Sequence, residues 1–165
     1  MRSDIVPGGI FPDYELPDHT EAMRRLSDLQ GDDPLILTLA RGHYCPKEHR
    51  QHLELAALYP QIAVAYTQIA TISTDDHHTI QEFRASVGAP WPFLSDSGRT
   101  VQQDLDIHEY TDPEHDPMSP TRSCSSLDSS STVSTTATGS GAARQSRNCG
   151  RICAPRHARS GPTGI

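Results

Sequence analysis

Leu35-Ile36-Leu37-Thr38-Leu39-Ala40, opened by Pro34, is a short apolar run of the kind shown by a strand buried on both faces. Gln68-Ile69-Ala70-Thr71-Ile72-Ser73 is a second. Between them, Pro46 suits the first position of a helix, with Leu53, Ala56, Ala57 and Leu58 inward and Pro60 as its limit. Asp75 or Asp76 caps the next helix, which carries Ile80, Phe83 and Val87 on one face and Gly88 just past its end. Trp91-Pro92-Phe93-Leu94 reads as extended, and Arg99 to Leu105 as one more helix with Val101 and Leu105 inward. Upstream, Phe11 to Pro17 alternates apolar and polar between prolines, as a short edge strand does. Thr20 caps a helix in which Met23, Leu26 and Leu29 recur before Gly31. The order βαβαβα predicts an α/β domain, a sheet with parallel pairs flanked by helices. In such sheets functional groups gather beyond the carboxyl ends of the strands.

The pattern stops near residue 118. Residues 119–165 hold 11 Ser, 6 Arg, a single acid (Asp128) and no aromatic, and their large aliphatics are Leu127, Val133, Ile152 and Ile165. Such a segment buries too little apolar surface to offset the entropy of ordering it, which predicts disorder. The expected organisation is therefore a domain over 1–118 and a Ser/Arg-rich tail over 119–165. The body carries 8 bases and 20 acids, a charge of −12, within a chain of net −7. That balance argues against nucleic acid as a partner. No apolar run approaches the roughly 18–20 residues of a membrane helix, so no membrane association is expected. Met1-Arg2-Ser3-Asp4 lacks the apolar stretch of a signal peptide, so the expected compartment is cytoplasmic, where thiols stay reduced.

The body has one thiol, Cys45, placed after the first buried strand and immediately before Pro46. At a helix start, free backbone N–H groups and the positive end of the helix dipole stabilise a thiolate. Arg41 and His43, close in sequence, add positive charge. These are conditions for a nucleophilic or peroxide-reducing cysteine. A half-buried structural cysteine is the competing reading.

The stretches LILTLARGHYCPKE (35–48), IATISTDD (69–76) and WPFLSDSGRTVQQDLDI (91–107), in that order and spacing, resemble the peroxiredoxin-like redoxins of the alkyl hydroperoxide reductase/thiol-specific antioxidant family. The resemblance covers roughly residues 7–118. It implies a thioredoxin-like fold, with Cys45 at the peroxidatic position; Arg41 and His43 are the supporting groups that the residues themselves suggest. It also implies peroxide as substrate, a thioredoxin or small thiol as reductant, possible homodimerisation and no cofactor. Peroxiredoxins surround the reactive cysteine with Pro-x-x-x-Thr-x-x-Cys; here Thr38 and Gly42 stand in those places. Relatives with a Cys-x-x-Cys pair carry the second thiol where this chain has Glu48, so an oxidised Cys45 needs an external thiol or a second subunit. The arginine that peroxiredoxins place before a late strand has no match in the body. A non-catalytic thioredoxin-like binding or redox-sensing module is the alternative that these departures favour.

His43, His49 and His52 cluster around Cys45 in sequence, and with Glu48 they form a candidate zinc set. His77-His78 and the pair His108 and His115 add further candidates. None has the spacing of a known metal motif, surface histidines are the simpler reading, and no metal is expected. Cys149 and Cys153, with three residues between them in the tail, do not read as a redox pair.

A thioredoxin-like sheet needs two antiparallel strands and a closing helix after residue 118, and the tail's composition supplies neither. A change of reading frame accounts for this. If codons start on the third base of codon 119, the middle base of each becomes the first base of the next visible codon. Most serine codons and both cysteine codons begin with T, and a middle T encodes an apolar residue, so a Ser-rich tail conceals an apolar one. With suitable synonymous codons the hidden frame spells TLVL, a Pro-Gly turn, LVVYSLY and an amphipathic helix. A one-base loss or two-base gain near codon 119 would then have replaced the C-terminus, leaving a domain without its last strands and helix, or an inactive product.

Overall fold

The computed structural model describes Ile5, residues 10–119, and the backbone of 121–125 and 134–137. Its larger sheet runs, in order, Phe93–Ser95 (β5), Gln68–Ser73 (β4), Leu35–Ala40 (β3), Thr121–Ser125 (β6) and Ser134–Ala137 (β7). The middle is the apolar pair expected from the sequence. β3 (Leu35–Ala40) lies parallel to β4 (Gln68–Ser73) over their full lengths, and β4 pairs in parallel with β5 (Phe93–Ser95). The alternation of a strand splits β3 between two cores. Leu35, Leu37 and Leu39 pack with Ile72, Leu94, Val101, Leu105 and Met118 on one face, while Ile36 packs with Leu55, Ile69, Phe83, Trp91 and Phe93 on the other. The second face is covered by α2 (Pro46–Val64) and α3 (His77–Ser86). Asp76 caps α3 by accepting the Thr79 N–H at 2.9 Å. The short α4 (Thr100–Asp104) belongs to the first face, with Val101 buried.

Three sequence expectations are corrected. The helix placed after Thr20 is instead a hairpin, β1 (Glu15–Pro17) against β2 (Met23–Arg25), followed by the five-residue α1 (Leu26–Gln30). The cause is Asp18: its buried carboxylate accepts the Thr20 N–H and hydroxyl and the Ala22 N–H, and pairs with Arg24 at 3.0 Å. That turns the chain where a cap would have started a helix. Second, α2 does not stop before Pro60. It continues to Val64, with Tyr59 and Ile62 packed against the second core and Pro60 exposed. Third, the inner face of α2 is Glu48, Gln51, His52 and Leu55, whereas Leu53 is 45% exposed. Helical spacing sets one stripe at 48, 51, 52 and 55, and the polar residues in it hide it from an apolar count. Accordingly, Leu55→Ala is expected to lower stability by about 2–5 kcal/mol, and Leu53→Ala by no more than about 0.5 kcal/mol. Urea unfolding of the two variants measures the difference.

The expected loss of the last strands also needs correction. β6 (Thr121–Ser125) pairs antiparallel with β3, and β7 (Ser134–Ala137) pairs antiparallel with β6. The closing helix and the Cys149/Cys153 region lie outside the described residues, as does the remainder of the segment expected to be disordered.

Candidate active site

The carboxyl ends of β3 and β4 meet at the pair Ala40 and Ser73, and the candidate site is built from the turns that follow. Cys45 is the N-cap of α2, with Pro46 in the first turn. Its φ of −88° and ψ of 112° are extended, and its side chain makes no cap hydrogen bond. Its N–H donates to the Gly42 carbonyl at 3.3 Å and its own carbonyl accepts the His49 N–H at 3.1 Å, which closes the turn and opens the helix. Cys45 is 7% exposed, and it is a free thiol. Burial trims access to solvent, while the helix start supplies unpaired N–H groups.

Asp75 ties this turn to the rest of the sheet. One carboxylate oxygen accepts the His43 N–H at 2.9 Å and the Ser73 hydroxyl at 2.8 Å, and the other lies 3.4 Å from the His43 ring Nδ1. The Ser95 hydroxyl donates to the Asp75 carbonyl at 2.6 Å. Residues at the ends of β3, β4 and β5 therefore converge on one aspartate. The sequence offered Asp75 only as one of two possible helix caps; nothing local signals that it reaches back to residue 43. Gly42 makes that reach possible. Its φ is +131°, and a Cβ there would lie 3.0 Å from the Tyr44 ring and 3.1 Å from an Asp75 carboxylate oxygen.

On the opposite side stands the acidic loop that follows α4. The Tyr44 hydroxyl donates to Asp112 at 3.1 Å, the Tyr44 ring stacks on His115 with centroids 3.9 Å apart, and the Arg41 guanidinium lies 3.8 Å from Asp112. Arg99 holds the loop's far end through the Asp116 carbonyl and carboxylate. Burial, then the hydrogen bond to Asp112, pushes the Tyr44 phenol up to about 12. The hydrogen bond from His115 is the chief cause holding the Asp112 carboxyl below its ordinary range.

The histidines diverge. His43 faces Asp75, and His49 lies 3.3 Å from the Ser86 hydroxyl. His52 turns inward and is fully buried, contrary to the surface reading. Its Nδ1–H donates to the Glu48 carbonyl at 2.8 Å, which leaves Nε2 to accept the Thr71 hydroxyl at 3.3 Å. Thr71 in turn accepts the Trp91 indole N–H at 3.0 Å. This satisfied chain explains a polar stripe on the inner face of α2. Among the described residues no group of three or more His, Cys, Asp or Glu side chains is arranged to hold a metal ion.

A parallel-centred sheet with a lone cysteine capping the helix after its middle strand, and with turns from three strand ends around it, is the architecture of a thioredoxin-like thiol redoxin. The chain belongs to the AhpC/TSA family, whose model matches residues 7–134. Solved structures agree on the fold. Peroxidoxin BcpB from Mycobacterium tuberculosis superposes with a TM-score of 0.72 at 23% identity, over 87% of this chain and 92% of that one. A cysteine-to-serine mutant of PrxQ from Xylella fastidiosa gives a TM-score of 0.75 at 17% identity, over 92% and 99%. AhpC from Enterococcus faecalis gives 0.71 at 13%, over 96% and 99%. No curated protein sequence matches the chain. At family level the chain is thereby placed among peroxide-reducing thiol oxidoreductases. Among the described residues no helix is long and apolar enough to cross a membrane.

Proposed function

We propose that this protein reduces peroxides through Cys45, with an external thiol as reductant. The observation that carries the reading is the placement of Cys45 as N-cap of α2 at the carboxyl end of the central strand, where backbone N–H groups favour an anionic sulfur. The Cys45 thiolate attacks one peroxide oxygen, the O–O bond breaks, and the departing oxygen takes a proton and leaves as alcohol or water. The sulfenic acid that remains on Cys45 is attacked by a thiol, giving a mixed disulfide and water. A second thiol then releases Cys45 and carries away the disulfide. Glu48 stands where a resolving cysteine would, and it is buried in the inner face of α2, which supports an outside reductant. Arg41 and His43 flank the turn as supporting charges. Consumption of peroxide that requires added thiol, with a trapped sulfenic acid on Cys45, is the expected result. Oxidation of Cys45 without turnover would instead identify a redox-sensing module.

A second reading concerns the C-terminal segment, and the sheet supports it. β6 lies between β3 and β7 and pairs with the fully buried β3, yet it is spelled Thr-Arg-Ser-Cys-Ser. An interior strand normally carries large apolar residues. Where the serine codons begin with T, the hidden codons whose middle bases are the first bases of codons 123, 124 and 125 all encode apolar residues, which suits that place. We infer that residues after 119 are a shifted reading of the last strands and helix of the domain. Sequencing the DNA across codons 112–165 is expected to show that frame open; stop codons in it would end the idea.

A further inference from the structure

The acidic loop meets the Cys45 turn mainly through one carboxylate. Asp112 accepts the Tyr44 hydroxyl, faces the Arg41 guanidinium at 3.8 Å, and contacts the ring nitrogen of His115 at 3.0 Å. The Arg41 and Asp112 side chains are only 24% and 22% exposed, so their attraction is incompletely screened. Arg41 immediately precedes, and Tyr44 lies within, the turn that the Cys45 N–H closes on the Gly42 carbonyl at 3.3 Å, so guanidinium and thiol belong to one short stretch of chain. Arg41 is also under-used as a donor: its Nε–H is buried with no hydrogen-bond acceptor among the described residues. A guanidinium placed this way has two anions to serve, the Asp112 carboxylate and the Cys45 thiolate, and the carboxylate holds one end of its fork.

We propose that Asp112 is a positioning residue for Cys45, drawing the Arg41 guanidinium and the Tyr44 ring toward the loop and so withholding positive charge from the thiolate. Asp112 thus restrains the sulfur. The other titratable groups facing this cluster are His115 beside Asp112, His43 in the turn and Asp75 after β4; Glu109 in the same loop also feels Arg41. All are left in place in the variants compared.

The proposal rests on Cys45 as the reacting thiol, and its test reads that thiol without peroxide or reductant. Alkylation of Cys45 in the full chain by iodoacetamide, followed by mass spectrometry across a pH series, reports the thiolate directly. Asp112→Asn is expected to speed alkylation at mildly acid pH by about 3- to 10-fold and to move the profile to lower pH. Asp112→Glu, which keeps the charge, should return the profile toward that of the unaltered chain. In an Arg41→Gln background, Asp112→Asn should leave the profile where Arg41→Gln alone puts it. An Asn variant that is unchanged or slower overturns the proposal, and so does an acceleration that survives loss of Arg41. A chain that fails to consume peroxide would end the catalytic reading while leaving this alkylation result to be judged by itself.

Discussion

Cys45→Ser is expected to abolish thiol-dependent peroxide consumption, a loss on the order of a thousandfold or more, because a serine hydroxyl cannot form the sulfenic acid that carries the oxygen. The fold should survive the change. Cys45 is an N-cap whose sulfur makes no cap hydrogen bond, whereas serine is among the preferred residues at that position. The variant is therefore expected to match the parent in stability or exceed it by about 0.5–1 kcal/mol. This combination separates chemistry from folding. Peroxide consumption followed with a fixed excess of dithiothreitol measures the first, and urea unfolding the second. Equal turnover in the variant would sink the assignment of Cys45.

The second large effect concerns Gly42. Among the departures from the peroxiredoxin pattern is Gly42, where that pattern has a threonine, and restoring that threonine is the obvious way to seek more activity. Gly42→Thr is expected to do the opposite. With φ at +131°, position 42 lies where L side chains rarely go, and even a bare Cβ would press on the Tyr44 ring and an Asp75 oxygen. The backbone strain alone costs roughly 1–3 kcal/mol. Relieving it moves Asp75, which holds the His43 N–H, and Tyr44, which holds the loop through Asp112. The variant should unfold at lower urea and turn over peroxide more slowly than the parent. Higher activity at unchanged stability would mean that the turn adopts another conformation in solution. Gly42→Ala provides the milder control, since it tests the strain without the hydroxyl.

Much of the frame is legible in the sequence. β3 and β4 matched their runs residue for residue, because a strand buried on both faces is spelled mainly in apolar residues. The cap of α3 and the position of Cys45 before Pro46 were equally local, since helix starts depend on backbone groups a few residues apart. Where long-range partners set the outcome, local reading failed. Asp18 draws together Thr20, Ala22 and Arg24 to make a hairpin from a segment that looked helical. The inner face of α2 escaped notice because His52 finds its partner on β4, and Thr71 in turn finds Trp91.

By itself, the sequence determined the α/β order, the acidic body, the redoxin resemblance and the placing of one thiol at a helix start. The resemblance rests on three stretches in register, and the others follow from short-range pattern or from composition. Tertiary structure alone decided what surrounds that thiol. Asp75 lies thirty residues past the turn it braces, and Asp112 belongs to a loop on the far side of α4. Hydrogen bonds and charges act through space over a few ångströms, whereas periodicity records only which face of its own element a residue occupies.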